Sequence, residues 1–430
     1  MKLDADLHLT TLDNGIRIAT ERVPHGYGVA LGLTVDAGSR YERSEEAGIA
    51  HLLEHMVFKG TERRTARQIA EEMDAVGGQL DAYTSKETTG YSVRVLPEHL
   101  PLALDVLSDM LRHSRLNEDD LELEKAVVLE EHKSLEDAPE EWVHDLFSET
   151  VWPDHPLGRP VIGTPESVAA MTPGQLSAFL ARHYTPDRLI FSAAGNVAHE
   201  AVVEEVARQF GDLRPSASPF PEATTPPATR LEEALRNRKL EQAHFCMGGE
   251  GVSEQDPDRW AARILNLVLG GGMSSRLFQE IRENRGLCYS IASEMISTRD
   301  AGLWIVYADT SPRHLDSVRD LSWQELQRAA GNGLTAGELE RAKAQVRAGT
   351  LLSLDDVGTR MGRLARALFY HDRLVPLSEQ VGHIEAITLD DCRRVAERLF
   401  GGERFAFAAI GPFSRRRATR GARTVVGASG

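Results

Sequence analysis

Ile49-Ala50-His51-Leu52-Leu53-Glu54-His55 returns, to within a residue, as Ile264-Leu265-Asn266-Leu267-Val268-Leu269-Gly270, at an offset of about 216 residues. The apolar positions recur; His51, Glu54 and His55 do not. Other stretches keep the same offset. Met171-Thr172-Pro173-Gly174-Gln175-Leu176 opens a helix that leads into the strand-like run from Arg188 to Gly195, and Ile387-Thr388-Leu389-Asp390-Asp391-Cys392 opens one that leads into Arg404 to Gly411. Leu123-Glu124-Lys125 likewise matches Leu339-Glu340-Arg341. A period this long is a duplicated domain, not a short-repeat solenoid.

Each copy reads as α+β. Ile16 to Thr20 and Val29 to Val35 are strand-like, with Asn14-Gly15 as a turn signal. Gln79 to Val95 contains a further strand, while Thr65 to Val76 and Leu100 to Leu111 are helical. Helices alternate with strands that look partly antiparallel, and no phosphate-binding βαβ fingerprint is present. The proline-rich run from Arg214 to Thr229, with Pro215, Pro219, Pro221, Pro226 and Pro227, reads as an extended linker. The expected organisation is therefore a first domain over 1–213, a linker over 214–230, a second domain over 231–413 and a basic tail over 414–430. The tail, with Arg415, Arg416, Arg417 and Arg420, reads as disordered.

Composition narrows the function. A chain of 430 residues is long enough for two ordinary cores. A net charge of -16 argues against nucleic acid as a partner. No run approaches the roughly 18 apolar residues of a membrane span, and the first residues hold no apolar signal-peptide core. Cys246, Cys288 and Cys392 are odd in number and widely spaced, as in a reduced, cytoplasmic protein, and are not expected to bind metal.

The chemistry sits in the first copy. On a helix, His51 and His55 are one turn apart on one face, so a single tetrahedral cation such as zinc can take both imidazoles. Glu54, one residue before the second histidine, can reach water at that cation as a general base without being a ligand. Ser44-Glu45-Glu46 is the expected helix start. Ala47, Ile49, Ala50, Leu52, Leu53, Met56 and Val57 make the helix apolar, so its histidines need partners. A third ligand must come from elsewhere, and the carboxylate-rich run from Leu121 to His132 holds the candidates. Loss of the three chemical residues from the second copy, with the apolar ones kept, favours function over packing.

At this point the sequence resembles the pitrilysin-type (M16) zinc metallopeptidases, a group that includes insulin-degrading enzyme, mitochondrial processing peptidase and their bacterial relatives. Their signature is H-x-x-E-H followed about 76 residues later by a glutamate, a count that falls on Glu131. The resemblance implies one zinc per chain on His51, His55 and Glu131, with Glu124 supporting the site. It runs to about Pro412 and is nearest to the bacterial relatives of the processing peptidase. His55-Met56-Val57-Phe58-Lys59-Gly60-Thr61 continues the motif, and Gly77 to Thr84 looks like the edge strand to which substrate adds, giving Asp81, Ala82 and Thr84 as substrate-binding residues. The family more often has asparagine at the position of Asp81. In the second copy, Gly270-Gly271-Gly272 resembles the family's glycine-rich segment, with Gly271 and Gly272 near substrate. Arg282 and Tyr289 match an Arg/Tyr pair that stabilises the oxyanion.

What the resemblance implies is a zinc endopeptidase acting on peptides or unfolded segments. The two homologous α+β domains would form a half-clamshell. Two such chains would make a homodimer with composite active sites around a chamber. The rival reading is a catalytically silent or partner-dependent scaffold subunit, which typically loses motif residues that this chain retains.

Overall fold

The computed structural model describes residues 6–215, 225–402 and 404–413. The middle of the proline-rich linker, with Pro219 and Pro221, and the basic tail from 414 onward lie outside the described residues.

The first half of the chain begins with strands β1 (Asp6–Thr11), β2 (Arg17–Arg22) and β3 (Val29–Val35), followed by helices α1 (Ile49–Met56) and α2 (Ala66–Asp74). Next come β4 (Gln79–Thr84), β5 (Thr89–Val95), α3 (Leu100–Arg112), α4 (Glu118–Asp137), α5 (Pro139–Val151), α6 (Pro165–Ala170), α7 (Pro173–His183), β6 (Leu189–Gly195) and α8 (His199–Phe210). The second half has β7 (Glu233–Asn237), β8 (Ala243–Glu250), α9 (Arg259–Gly270), β9 (Cys288–Ser297), β10 (Gly302–Thr310) and α10 (Leu315–Asn332). It ends with α11 (Ala336–Leu352), α12 (Val357–His371), α13 (Leu377–Ala386), α14 (Leu389–Phe400) and β11 (Ala406–Gly411).

The duplication is visible strand by strand. One sheet has the order β1-β2-β6-β3-β5-β4 and the other β7-β11-β8-β10-β9. Removing β1 leaves the same path, in which the first strand of each copy pairs in parallel with the last and every other neighbour is antiparallel. The central strands β3, β6 and β11 are buried at every residue, as their unbroken apolar and small-residue runs require. The two helices read from Thr172 and Thr388 both open with capping boxes, closed by Gln175 and Asp391. Gln79 to Val95 differs from the reading as one strand. Its Ser85–Thr88 turn folds it into the hairpin of β4 and β5, which leaves β4 at the edge of its sheet.

The chain divides into two compact units, and their membership differs from a single cut at the linker. One unit holds Met1–Lys133, Pro160–Thr224 and Leu351–Gln380, and the other Ser134–Arg159, Thr225–Thr350 and Val381–Gly430. Each half of the sequence thus gives one helix to the other half's unit. The reason is that each sheet has two apolar faces. In the first unit Ala19 and Ile190 are covered by Leu364, Leu368 and Phe369 of α12. Buried Glu21 on β2 pairs with Arg360 and Arg363 of the same helix. In the second unit Cys246, Ile305, Ala408 and Ile410 are covered by Val143, Leu146, Phe147 and Val151 of α5. All three cysteines are unpaired, and no helix among the described residues is long and apolar enough to cross a membrane.

Candidate metal centre

Helix α1 is divided cleanly between apolar packing residues and titratable ones. Ile49, Ala50, Leu52, Leu53 and Met56 are buried, each large aliphatic side chain contributing about 1.5–3 kcal/mol. His51, Glu54 and His55, at i, i+3 and i+4, occupy the remaining arc. The helix does not start at Ser44. Residues Ser44–Glu46 form a separate 3-10 turn, and the chain breaks at Gly48 with φ of 90° before α1 begins. A Cβ on Gly48 would lie 2.6 Å from the Ile162 carbonyl oxygen, so only glycine fits this left-handed bend. The cap is Glu42, whose buried carboxylate accepts the N–H of Gly48 at 2.8 Å and of Ala50 at 2.9 Å. A carboxylate at a helix N-terminus satisfies orphan donors and suits the helix dipole.

The third donor arrives on α4. That helix buries Leu121, Glu124, Lys125 and Val128, which places Glu124 and Glu131, two turns apart, toward α1. Glu131 Oε2 lies 3.8 Å from His51 Nε2, and its Oε1 lies 3.7 Å from His55 Nε2. The donor atoms of His51, His55 and Glu131 all lie within 4.8 Å of one another, the single such group of His, Cys, Asp and Glu found among the described residues. These separations are too long for hydrogen bonds. They suit a cation instead, since two ligands of a tetrahedral zinc with bonds near 2.1 Å sit about 3.4 Å apart. Two imidazoles and one carboxylate would give a tetrahedral cation three protein ligands and leave its fourth position open, as in catalytic sites.

A neighbouring carboxylate orients His55. His55 Nδ1 donates to Glu124 Oε2 at 3.1 Å, which fixes the tautomer and turns the Nε2 lone pair toward Glu131. Burial, helped by the fields of His55 and His132, pushes His51 down to about 4, so its ring is neutral at neutral pH. Burial raises the Glu54 carboxyl above the ordinary range, opposed by Thr84 Oγ1, which donates to Glu54 Oε2 at 2.5 Å. Thr84, which the family resemblance gave as a substrate-binding residue, has its hydroxyl engaged with Glu54. Strand alternation could have signalled this, because Leu80, Ala82 and Thr84 share the half-buried side of β4. Asp81 is exposed, and its Oδ1 accepts the N–H of Ala82 at 2.9 Å.

The histidine shifts have a stability consequence. The pKa of His51 in the fold lies below its value of 6.5 in the unfolded chain, so the neutral ring supports the fold fully above pH 6.5. That support disappears as pH falls toward 4. At about 1.4 kcal/mol per unit it amounts to about 3 kcal/mol. His183, buried between Arg182 and Arg188, is pushed down to about 3 and adds to the same trend. Chelator-treated protein is therefore expected to lose urea stability between pH 6.5 and 4.5. His51→Gln should flatten that slope.

The second copy shows why its helix holds no such site. Gly270 stands where His55 would be, and a Cβ there would lie 2.3 Å from the Ser293 backbone nitrogen. Ser293 Oγ donates to Asn266 Oδ1 at 2.7 Å, at the position aligned with His51. β9 packs directly on α9, and no imidazole fits between them. In the same unit Arg282 and Tyr289 come together through backbone: Arg282 Nε donates to the Tyr289 carbonyl at 2.8 Å, while Asp309 Oδ1 accepts the N–H groups of Tyr289 and Ser290. Arg282 lies in a π-helical turn over Phe278–Glu283, and Tyr289 is 73% exposed. Gly271 and Gly272 precede this turn, and a Cβ on Gly272 would meet nothing within 4 Å.

Comparison with known proteins bears on the family of the chain. The sequence model described as Insulinase (Peptidase family M16) matches residues 17–165, and that described as Peptidase M16 inactive domain matches 170–346. The chain belongs to peptidase family M16. A relative named an uncharacterized zinc protease in Streptomyces coelicolor is 42% identical over 96% of this M16 chain and 91% of its own length. A like-named Bacillus subtilis protein is 39% identical over 94% and 97%. A Helicobacter pylori structure described as a protease has a TM-score of 0.89 at 22% identity, covering 94% of this chain and 99% of that one. A Pseudomonas fluorescens structure described as a peptidase M16 inactive domain has a TM-score of 0.88 at 20% identity over 95% and 98%. At such identities the two structures bear on the fold alone.

Proposed function

We propose that this M16 protein is a zinc-dependent endopeptidase acting on peptides and unfolded segments. The observation that carries the reading is the convergence of His51 and His55, on the face of α1 that also holds Glu54, with Glu131 of α4. The donor set fits zinc, and the relatives named zinc proteases point the same way. His51, His55 and Glu131 would hold the zinc, which would supply Lewis acidity to a water and to a substrate carbonyl. Thr84 occupies Oε2 of Glu54, so Oε1 takes the proton of the attacking water and later delivers it to the leaving amine. The open edge of β4 receives the substrate as an added strand, which selects extended chains over folded ones. Arg282 and Tyr289 serve as donors to the oxyanion, with Tyr289 held by Asp309. Three unpaired cysteines suit a reducing compartment, and the protein is assigned to the cytoplasm on that ground.

The test is incubation with an unstructured peptide and with a stably folded domain. The peptide should be cut at internal bonds, giving fragments without single-residue laddering from either end, while the folded domain survives. Cleavage of neither, by protein carrying zinc, would overturn the reading.

The protein acts, in this proposal, as a homodimer in which Arg282 and Tyr289 of one protomer serve the metal site of its partner. Mixing an inactive Glu54→Gln chain with an inactive Arg282→Ala/Tyr289→Phe chain should then restore up to about half of the wild-type rate per mixed dimer, since one of its two composite sites is intact. Verified mixed dimers without recovered activity would exclude the arrangement.

A further inference from the structure

Lys59 ends the short turn Val57–Lys59 that continues α1, just before Gly60, whose φ is 114°. Its Nζ lies 2.6 Å from Glu124 Oε1. The other oxygen of the same carboxylate lies 3.1 Å from His55 Nδ1. Glu124 is only 7% exposed, so bulk water does not orient it. A glutamate carboxylate turns freely about its last torsion unless both oxygens are held. Here one oxygen is held by a cation and the other by the imidazole N–H. The site also gathers three carboxylates, Glu54, Glu124 and Glu131, and Lys59 offsets the charge of the most buried of them.

We propose that Lys59 is a positioning residue of the metal site: it holds Glu124 in the orientation that fixes His55 for zinc. The inference rests on the proposed metal site. Lys59 pairs with Glu124 and not with the three donor residues, and it acts through Glu124. The competing account is an ordinary ion pair between α4 and the end of α1, which would support the fold and leave metal affinity alone. The two accounts differ in what the removal of Lys59 does to zinc binding once Glu124 has already lost its carboxylate.

The test measures apparent zinc Kd by competition with a chromophoric chelator at one pH. The proteins are wild type, Lys59→Met, Lys59→Arg, Glu124→Gln and the double variant Lys59→Met/Glu124→Gln. Melting of each in excess chelator reports the metal-free fold. Removing a group that orients a metal-bound histidine through its partner typically weakens binding about 10–100-fold. Lys59→Met is expected to weaken zinc binding about 10-fold or more, with Lys59→Arg recovering part of the loss. In the Glu124→Gln background, Lys59→Met should add little. Where Lys59→Met fails to fold, Lys59→Gln takes its place in the same cycle. Wild-type affinity in Lys59→Met, or an equal loss with and without the Glu124 carboxylate, would overturn the proposal. A wild-type chain that binds no zinc would instead overturn the metal site itself.

Discussion

Glu54→Gln is expected to lower kcat/KM on an unstructured peptide by about 10²–10⁴-fold, the usual contribution of a positioned general base. That corresponds to about 3–5 kcal/mol of barrier. Zinc content should not change, because Glu54 is not among the three converging donors. The fold should hold as well: glutamine keeps an oxygen that can accept the Thr84 hydroxyl, and Glu54 lies on the side of α1 away from Leu52, Leu53 and Met56. Activity and metal content thus separate in this variant. A parallel fall in zinc and in rate would mean that Glu54 holds the metal and does not act as base. Thr84→Val, which removes only the hydroxyl, should have a smaller effect on rate than Glu54→Gln.

Glu131→Ala should have the opposite signature. Its carboxylate is the only oxygen donor of the three and faces both Nε2 atoms, at 3.7 and 3.8 Å. Its removal should weaken zinc binding beyond the roughly 10–100-fold typical of groups that merely orient a ligand. Peptide cleavage should fall with occupancy and recover only in part with added zinc. The side chain is 41% exposed, so metal-free stability should move by no more than about 0.5 kcal/mol. Glu130→Ala is the matched control, one residue away on the solvent face with Lys133 as its partner, and it should leave zinc binding unchanged. Equal effects at the two positions would remove Glu131 from the site.

Much of this site was legible because it is local. His51, Glu54 and His55 fall at helical spacing among residues that must be buried, so one helix states both its packing face and its chemistry. The duplication added a control, since Asn266, Leu269 and Gly270 keep the helix and drop the donors. Glu131 was different. Nothing in the periodicity of α4 singled it out from Glu122, Glu124 or Glu130, and only the family spacing did so. The two threonine caps were readable because Gln175 and Asp391 stand three residues on.

What was not legible depends on which distant surfaces meet. Glu42 caps α1 from beyond an intervening turn, a contact that requires the left-handed bend at Gly48. Serine at 44 offered a more familiar but unused start. The exchange of α5 and α12 between units follows from both faces of each sheet being apolar, which a strand pattern reveals, although it does not say which helix covers them. Lys59 looked like part of a motif tail, and its contact with Glu124 appears only when α4 is laid beside α1.

Titration of metal-free protein with zinc, following peptide cleavage and bound metal together, tests the central claim most directly. Cleavage should rise in proportion to zinc and level off at one zinc per chain, with Glu54→Gln binding the same single zinc and remaining inactive. Cleavage that is already complete without zinc, or that stays absent at one bound zinc per chain, would contradict the assignment of a zinc peptidase built on His51, His55, Glu131 and Glu54.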